Sequence, residues 1–423
     1  MMNIKVFKFG GASVKDAPSI ENLQSILRRY PDDKIVVVIS AMGKTTNFLE
    51  KVLAAYHDNS ADMPVLVDEL QRQHVSVAEQ LLPDPGGVVD ALCKLFTQLR
   101  ERLTISPSQN YDFDYDQIVS FGELLSTTLI SGYLNHAGIP NMWLDARRLV
   151  RTDSTYREGR IDWEITARQV REGVEAGLSQ GGVVLTQGFI GGTAENLTTT
   201  LGREGSDFSA AIFAHVLDAE SVTIWKDVPG LLNADPKRFD DAVKLERIPY
   251  EEALELTFYG ASIIHPKTLK PLQNKQIPLY VKSFASPDDE GSVITNCRLS
   301  TVIPSYIVKD NQVLITLFPK DFSFMGVDNL SIIFSLLAKY RVKINMMQNS
   351  ALSLSICTDN VGDRLKKCMA ELRKNNYKVK YNAPVQLITI RHYTPEAVEK
   401  AVGIKKLLMR QTSRATVQFV VEP

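Results

Sequence analysis

Residues 4–11 read Ile4-Lys5-Val6-Phe7-Lys8-Phe9-Gly10-Gly11. An apolar, β-rich run breaks at two glycines, as a buried first strand does on entering a tight turn. Residues 19–30 carry Ile20, Leu23, Ile26, Leu27 and Tyr30 at helical spacing, which predicts a helix. Ile35-Val36-Val37-Val38-Ile39 is then a continuous β-branched run, as expected of a strand covered on both faces. Strand, glycine turn, helix and second buried strand predict an α/β domain with parallel strands.

Residues 46–105 carry helical patterns and no strand run. Strands are predicted again at 141–144, 183–187, 221–225 and 277–281, with helices at 121–136, 207–217 and 250–258 between them. Turn chemistry in Ser286-Pro287-Asp288-Asp289-Glu290-Gly291 places the first domain at residues 1–300. The pattern then changes. A strand at 313–318, a helix at 329–340, alternating runs at 342–346 and 352–356, and a helical stripe at 361–372 spell a βαββα unit, assigned to residues 301–383. A shorter echo occupies residues 384–423, with a strand at 385–390, a helix at 395–409 and a strand at 415–421. Two adjacent copies of one small unit point to a tandem regulatory module.

A chain of 423 residues exceeds what one core usually spans, roughly 250–300, so two or three domains are expected. The apolar share of 44% and charged share of 23% are those of a globular protein. A formal net charge of −1 leaves no global basic field for a nucleic acid or a membrane surface. Cys93, Cys297, Cys357 and Cys368 form no C-x-x-C pair, and dispersed thiols suit a reducing compartment. No N-terminal apolar run is long enough to span a bilayer, so a soluble, cytoplasmic protein is expected.

Four stretches carry candidate chemistry. In Lys8-Phe9-Gly10-Gly11-Ala12-Ser13, a strand-end ammonium lies beside backbone N–H groups that a phosphate can approach, because glycine has no Cβ. The same residues fit a plain strand-to-helix turn with a surface lysine. In Leu201-Gly202-Arg203-Glu204-Gly205-Ser206-Asp207, Ser206 or Asp207 is expected to cap the following helix. Gly205 and Ser206 could also open an anion site there, with Arg203 as a fork for a carboxylate. The stretch from Trp225-Lys226-Asp227-Val228-Pro229-Gly230 to Asp235-Pro236-Lys237 ends a strand in charged residues and turns, where open α/β sheets bind ligands. In Ser120-Phe121-Gly122-Glu123, the carboxylate either complements a helix dipole or binds a substrate ammonium.

Taken together these stretches resemble the aspartate kinase family. KFGGASV (8–14), the loop from Ser40 to Asn47, SFGELLS (120–126), LGREGSDFSA (201–210), WKDVPGLLNADP (225–236), YEEALELTFYGASIIHPKTL (250–269) and VKSFASP (281–287) stand in that family's order. The units after residue 303 resemble its ACT domains. The resemblance implies an amino acid kinase α/β/α sandwich followed by βαββ ferredoxin-like ACT units, and phosphoryl transfer from ATP to the L-aspartate side chain.

By the same carry-over, Lys8 neutralises the transferred phosphoryl group and Asp207 positions the reacting groups. Arg203 grips the substrate α-carboxylate and Glu123 its α-ammonium. Ser40, Thr46, Gly205 and Ser206 contact substrate. Gly10, Gly11, Ser13, Lys226, Asp227, Gly230, Leu232 and Lys237 fall where the family binds nucleotide. Mg²⁺ is expected to bridge phosphate oxygens, with no dedicated protein metal site. The implied effector site holds Met325, Gly326, Asp328, Asn345, Gln348, Asn349 and Ser350, with lysine or threonine as effector and the ACT units joining a homodimer. For Asp328 and Asn329, plain helix capping is the competing reading.

The chain departs from the family at several points. Leu232 stands where some members have tyrosine, Lys226 where threonine is frequent, and Ser262 where a lysine often reaches ATP. Lys226 or Lys267 is the expected replacement for that charge. Asn345 and Ala351 stand where lysine-sensing members carry acidic residues. Two other readings compete: a related kinase acting on glutamate, acetylglutamate or a nucleoside monophosphate, and a non-catalytic amino-acid sensor. Retention of Lys8, Arg203 and Asp207 favours the aspartate kinase.

Overall fold

The computed structural model describes residues 3–261, 264–298, 302–321 and 323–423. They form two compact units, one of residues 1–231, 244–254 and 263–299, the other of residues 232–243, 255–262 and 300–423.

The first unit opens with β1 (Ile4–Phe9), a 3-10 turn (Gly11–Val14), α1 (Ala17–Leu27) and β2 (Lys34–Ile39). Asp16 stops the turn and starts α1 by accepting the Ser19 N–H at 3.0 Å. Five helices follow: α2 (Thr45–His57), α3 (Met63–Leu81), α4 (Gly86–Thr104), α5 (Tyr111–Val119) and α6 (Phe121–His136). Next come β3 (Asn141–Leu144), α7 (Ala146–Leu149), α8 (Trp163–Gly181), β4 (Val183–Gln187) and a hairpin of β5 (Ile190–Gly192) and β6 (Thr198–Thr200). The chain continues through α9 (Gly205–Leu217), β7 (Ser221–Lys226), β8 (Arg247–Pro249), α10 (Tyr250–Tyr259), α11 (Pro266–Lys275), β9 (Leu279–Ser283) and β10 (Ser292–Thr295).

Eight strands make one sheet in the order β3-β4-β2-β1-β7-β9-β10-β8. All pairings are parallel except β9 with β10. Residues 35–39 of β2 are fully buried, which a sheet covered by helices on both faces requires. β1 is central, and in register Phe9 lies beside Ile39 and Trp225, with Gln187 beside Ile39. The carboxyl ends of β1, β2, β4 and β7 therefore form one edge. The short strands β5, β6, β8 and β10 are additions to the sequence-based reading; runs of three or four residues leave too little periodicity to read.

The second unit contains β11 (Ser305–Pro319), α12 (Val327–Lys339), β12 (Ile344–Asn349), β13 (Leu354–Asp359), α13 (Asp363–Lys374), β14 (Tyr377–Arg391), α14 (Pro395–Val402), β15 (Leu407–Thr412) and β16 (Thr416–Val421). Its six strands form one sheet, β12-β13-β11-β14-β16-β15, antiparallel throughout. β11 and β14 are long enough to serve both halves: residues 305–309 pair with 387–391, and residues 312–319 with 377–385. The expected boundary at 383/384 lies inside β14. The helix expected over 395–409 ends at Val402; Gly403, with φ +52°, stops it, and residues 407–412 pair with β16 instead. Val313, Ile315 and Leu317 pack with Ile333, Leu337 and Met369 from α12 and α13. Leu314, on the opposite face, joins a cluster drawn from all six strands. Ala234 and Phe239 of segment 232–243 pack with Ile388, Val417 and Phe419.

One element of the first unit is bonded by consecutive side chains. In α5, the fully buried Asp114 carboxylate accepts from the Arg102 guanidinium and from the Ser108 N–H at 2.8 Å, with His57 Nε2 at 3.1 Å. The Tyr115 hydroxyl donates to Glu50 Oε1 at 3.0 Å. These bonds lock α5 onto α2 and α4. Removing one partner of a buried ion pair strands the other charge, a loss of about 3–5 kcal/mol. Asp114→Ala should lower unfolding free energy by that order in urea. Tryptophan fluorescence follows this unit alone, since Trp143, Trp163 and Trp225 all lie in it.

Candidate active site

α9 sets the centre of the site. It is apolar almost all round, with Ala210, Ala211, Ile212, Phe213 and Ala214 fully buried, so it sits inside the fold rather than on it. Its N-cap is Glu204, in the left-handed region at φ +54°, and not Ser206 or Asp207 as the sequence suggests. Those two lie just inside, in the helix's first turn. The Glu204 side chain is turned away to accept the His265 N–H at 2.8 Å. A carboxylate in the first turn is favoured by the helix dipole, which is where Asp207 stands.

Asp207 is 3% exposed and faces two ammonium groups. Lys8 Nζ, at the end of β1, is 2.6 Å from Oδ1, and Lys226 Nζ, at the end of β7, is 3.8 Å from Oδ2. Burial alone would raise the Asp207 pKa; Lys8 and Lys226 together overcome it and hold the carboxyl below its ordinary value. The three residues come from three elements that meet at the carboxyl edge of the sheet, where open α/β sheets bind ligands.

The loops around this cluster are closely packed. A Cβ at Gly11 would come within 2.8 Å of the carbonyls of Ala41 and Gly43, so only glycine lets the turns after β1 and β2 touch. Gly10 lies beside the Lys8 ammonium. Ser13 is buried and its hydroxyl points at the Trp225 carbonyl, 3.4 Å away. Ser40 closes β2, its N–H donating to the Phe9 carbonyl at 3.1 Å, and Thr46 is half-buried in the first turn of α2. Ser206 is buried against Gly188.

Glu123 is 2% exposed at the start of α6. Gly122 lets the helix close on Ala41, since a Cβ there would lie 2.9 Å from the Ala41 methyl. Glu123 Oε1 accepts the Ala41 N–H at 3.2 Å, while buried Oε2 has no hydrogen-bond partner. Burial pushes its pKa up to about 8, against the smaller pull of the Ala41 N–H. A buried carboxyl with an unmet oxygen is a ready site for a cation. Arg203 is exposed and has no ion-pair partner among the described residues. Asp227 is exposed beyond β7, and Gly230 is buried where the Leu231 N–H donates to Ser292 Oγ at 2.8 Å.

Leu232 and Lys237 belong to the second unit; Leu232 is half-buried and Lys237 exposed. Ser262 lies outside the described residues. Of the two lysines named as its replacement, Lys226 lies against Asp207, whereas Lys267 is exposed on α11 near Gly202.

In the second unit, Met325, Gly326, Asn349 and Ser350 converge. The Met325 N–H donates to the Ala351 carbonyl at 2.8 Å, and Asn349 Nδ2 to the Met325 carbonyl at 3.3 Å. Gly326 is the N-cap of α12, Asp328 lies in its first turn, and Gln348 is exposed on β12. Neither Asp328 nor Asn329 supplies a side-chain cap. Asn329 instead donates to the Phe324 carbonyl at 2.9 Å and accepts the Tyr377 hydroxyl at 2.6 Å. Asn345 is not brought into this group: it accepts from Lys309 at 3.0 Å and donates to Gln312 and Asp359 at 2.8 and 2.9 Å.

Asp116 escaped sequence-based reading. It stands in Asp112-Phe113-Asp114-Tyr115-Asp116, whose spaced acids give no local sign of burial. Asp114 and Asp116 are nevertheless fully buried. Burial pushes the Asp116 carboxyl up to about 6, against the pull of its donors on Arg157 and Thr200.

Among the described residues no helix is long and apolar enough to cross a membrane, and no group of three or more His, Cys, Asp or Glu side chains is placed to hold a metal.

The amino acid kinase family model matches residues 3–283. Aspartokinase 1, chloroplastic, of Arabidopsis thaliana is 29% identical over 84% of the chain, which spans 63% of that protein's length. Lysine-sensitive aspartokinase 3 of Escherichia coli is 30% identical over 86% of the chain and 80% of its own. The solved structure of E. coli aspartokinase III in complex with aspartate and ADP superimposes with a TM-score of 0.84 at 26% identity, covering 99% of this chain and 96% of that one. An ion cluster at the switch point of a parallel sheet, the matched family model and these relatives agree: the chain belongs to the amino acid kinase family, among its aspartokinases.

Proposed function

We propose that the protein transfers the γ-phosphoryl group of ATP to the β-carboxylate of L-aspartate, giving 4-phospho-L-aspartate. The observation that carries this reading is the buried Lys8–Asp207–Lys226 cluster at the carboxyl edge of the sheet, in a chain with aspartokinase relatives. The nucleophile, with an unperturbed pKa near ~3.9, is ionised at neutral pH, so no general base is required. What remains is alignment and the neutralisation of charge. Lys8 faces the transferred group, Asp207 holds its ammonium in place, and Lys226 adds a second cation. Gly10, Gly11 and Ser13 leave the backbone after β1 open to phosphate oxygens, and Asp227 and Gly230 bound the nucleotide side. Mg²⁺ accompanying the nucleotide would screen phosphate charge, held chiefly by phosphate oxygens.

Glu123 takes the α-ammonium of aspartate and Arg203 its α-carboxylate, with Ser40, Thr46, Gly205 and Ser206 around them. The unmet Oε2 of Glu123 supports this assignment. In the second unit, the convergence of Met325, Gly326, Asn349 and Ser350 supports an effector site for lysine or threonine. Its antiparallel sheet is the surface through which a homodimer would form. The reading places the protein in the cytoplasm, at the first step toward lysine, threonine and methionine.

Incubation with aspartate, MgATP and hydroxylamine should yield aspartyl hydroxamate; none at saturating substrate would refute the proposal. Arg203→Ala removes a charge-assisted contact of about 1.5–3 kcal/mol, so the aspartate KM should rise more than tenfold while the ATP KM stays nearly constant. Equal damage to both would remove Arg203 from its role. Glu123 gives a pH signature. Its carboxyl is mostly protonated below about 8, whereas an ammonium requires the anion. Binding below that pH therefore expels a proton, and the aspartate KM should fall by up to about tenfold per unit as pH rises toward 8. Glu123→Gln should bind weakly with a flat profile in that window; a wild-type profile already flat there would contradict the assignment.

A further inference from the structure

β6 leads directly into the loop that carries Arg203, and among the described residues no further strand pairs with its outer edge. A bare edge leaves backbone groups to be satisfied by something else. Two adjacent α5 side chains do this. Gln117 Nε2 donates to the Thr198 carbonyl at 2.7 Å, and its Oε1 accepts the Thr198 N–H at 3.2 Å. Asp116 Oδ2 accepts the Thr200 N–H at 2.8 Å and its Oδ1 the Thr200 hydroxyl at 2.7 Å. Oδ2 also accepts the Arg157 N–H at 2.9 Å, and the Thr200 carbonyl accepts the Gly159 N–H at 2.9 Å. α5 thus replaces a missing strand along β6. The helix is itself bonded to α2 and α4 through Tyr115 and Asp114, and it ends at Ser120, which begins α6 and so places Glu123.

We propose that α5 is a rigid spacer that fixes Glu123 relative to the Arg203 loop, with Asp116 as the positioning residue that sets the grip on the α-amino and α-carboxylate groups of the substrate. The inference rests on the reading of Glu123 and Arg203 given above. Asp116 touches no substrate. It acts because Thr200 is three residues from Arg203 and the carboxylate holds both its backbone N–H and its hydroxyl. The carboxylate accepts from three donors at once: Oδ2 from two backbone N–H groups and Oδ1 from the Thr200 hydroxyl. Asp116→Asn keeps all three contacts when its oxygen faces the N–H groups and its NH₂ donates to the hydroxyl oxygen, whereas Asp116→Ala leaves both N–H groups without an acceptor. The nucleotide side, built on β1 and β7, does not depend on this link.

The test compares Asp116→Ala, Thr200→Val and Thr200→Ser in the full chain. Two readouts are used: steady-state hydroxamate formation with aspartate and MgATP, and amide hydrogen exchange over residues 201–205 without substrate. Asp116→Ala should raise the aspartate KM at least tenfold with the ATP KM within twofold, and should speed exchange in that segment. Thr200→Val, near-isosteric and a safeguard if the first variant does not fold, should raise the aspartate KM severalfold. Thr200→Ser, which keeps the hydroxyl, should stay within twofold of wild type. Equal rises in both KM values, an unchanged aspartate KM, or Thr200→Ser as impaired as Thr200→Val would overturn the spacer. Failure of the wild-type chain to form hydroxamate would instead remove the kinase reading. In that case exchange at 201–205 still decides whether Asp116 holds the loop.

Discussion

Lys8 and Asp207 are each nearly shut off from water, and neither is tenable there alone. An unpaired charge removed from water carries a penalty of several kcal/mol, offset only when a partner and further donors are in place. The partner comes from a different element in each case: β1 supplies the ammonium, α9 the carboxylate, and β7 a second ammonium through Lys226. The mutual need of these charges ties the central strand, the buried helix and the neighbouring strand to one geometry. It also leaves two cations at the one edge where strand ends, glycine turns and a helix N-terminus converge.

The side proposed for the substrate obeys a different logic. Glu123 is buried with half of its carboxylate unmet, and burial holds it largely protonated at neutral pH. Such a group is stable enough to fold around yet gains strongly from an incoming ammonium. Its placement is indirect: Gly122 lets α6 approach Ala41, and α5, bolted by Asp114 and Tyr115, sets where α6 begins. Phosphoryl transfer to an already ionised carboxylate leaves little for acid–base chemistry, so this kind of positioning is where such a site can do most.

The second unit solves a packing problem with two long strands. β11 and β14, fifteen residues each, run through both halves, so the two repeats share a single sheet, and of three apolar clusters the one drawn from all six strands spans both. The shortened second repeat is completed by residues 305–309 of β11. Segment 232–243, although embedded in a stretch that reads as a nucleotide loop, contributes Ala234 and Phe239 to one of those clusters.

Much of this was legible in the linear chain. The parallel α/β core follows from Ile4–Phe9, the glycine turn and residues 35–39, because buried strands and amphipathic helices leave strong local periodicities. Lys8, Arg203 and Asp207 were visible as candidates because charge beside glycine at an element's end is a local signal. Other features had no such signal. The cap at Glu204 depends on a left-handed residue whose side chain is drawn off to His265. The strand at 407–412 looks helical until β16 pairs with it. Asp114 and Asp116 carry no local sign of burial, because their environment is made by Arg102, Arg157 and Thr200 from distant parts of the chain. The amino-acid sequence alone determined which elements form and which charges end them. The tertiary structure alone decided which charges are buried together, because desolvation and pairing depend on neighbours that no local window contains.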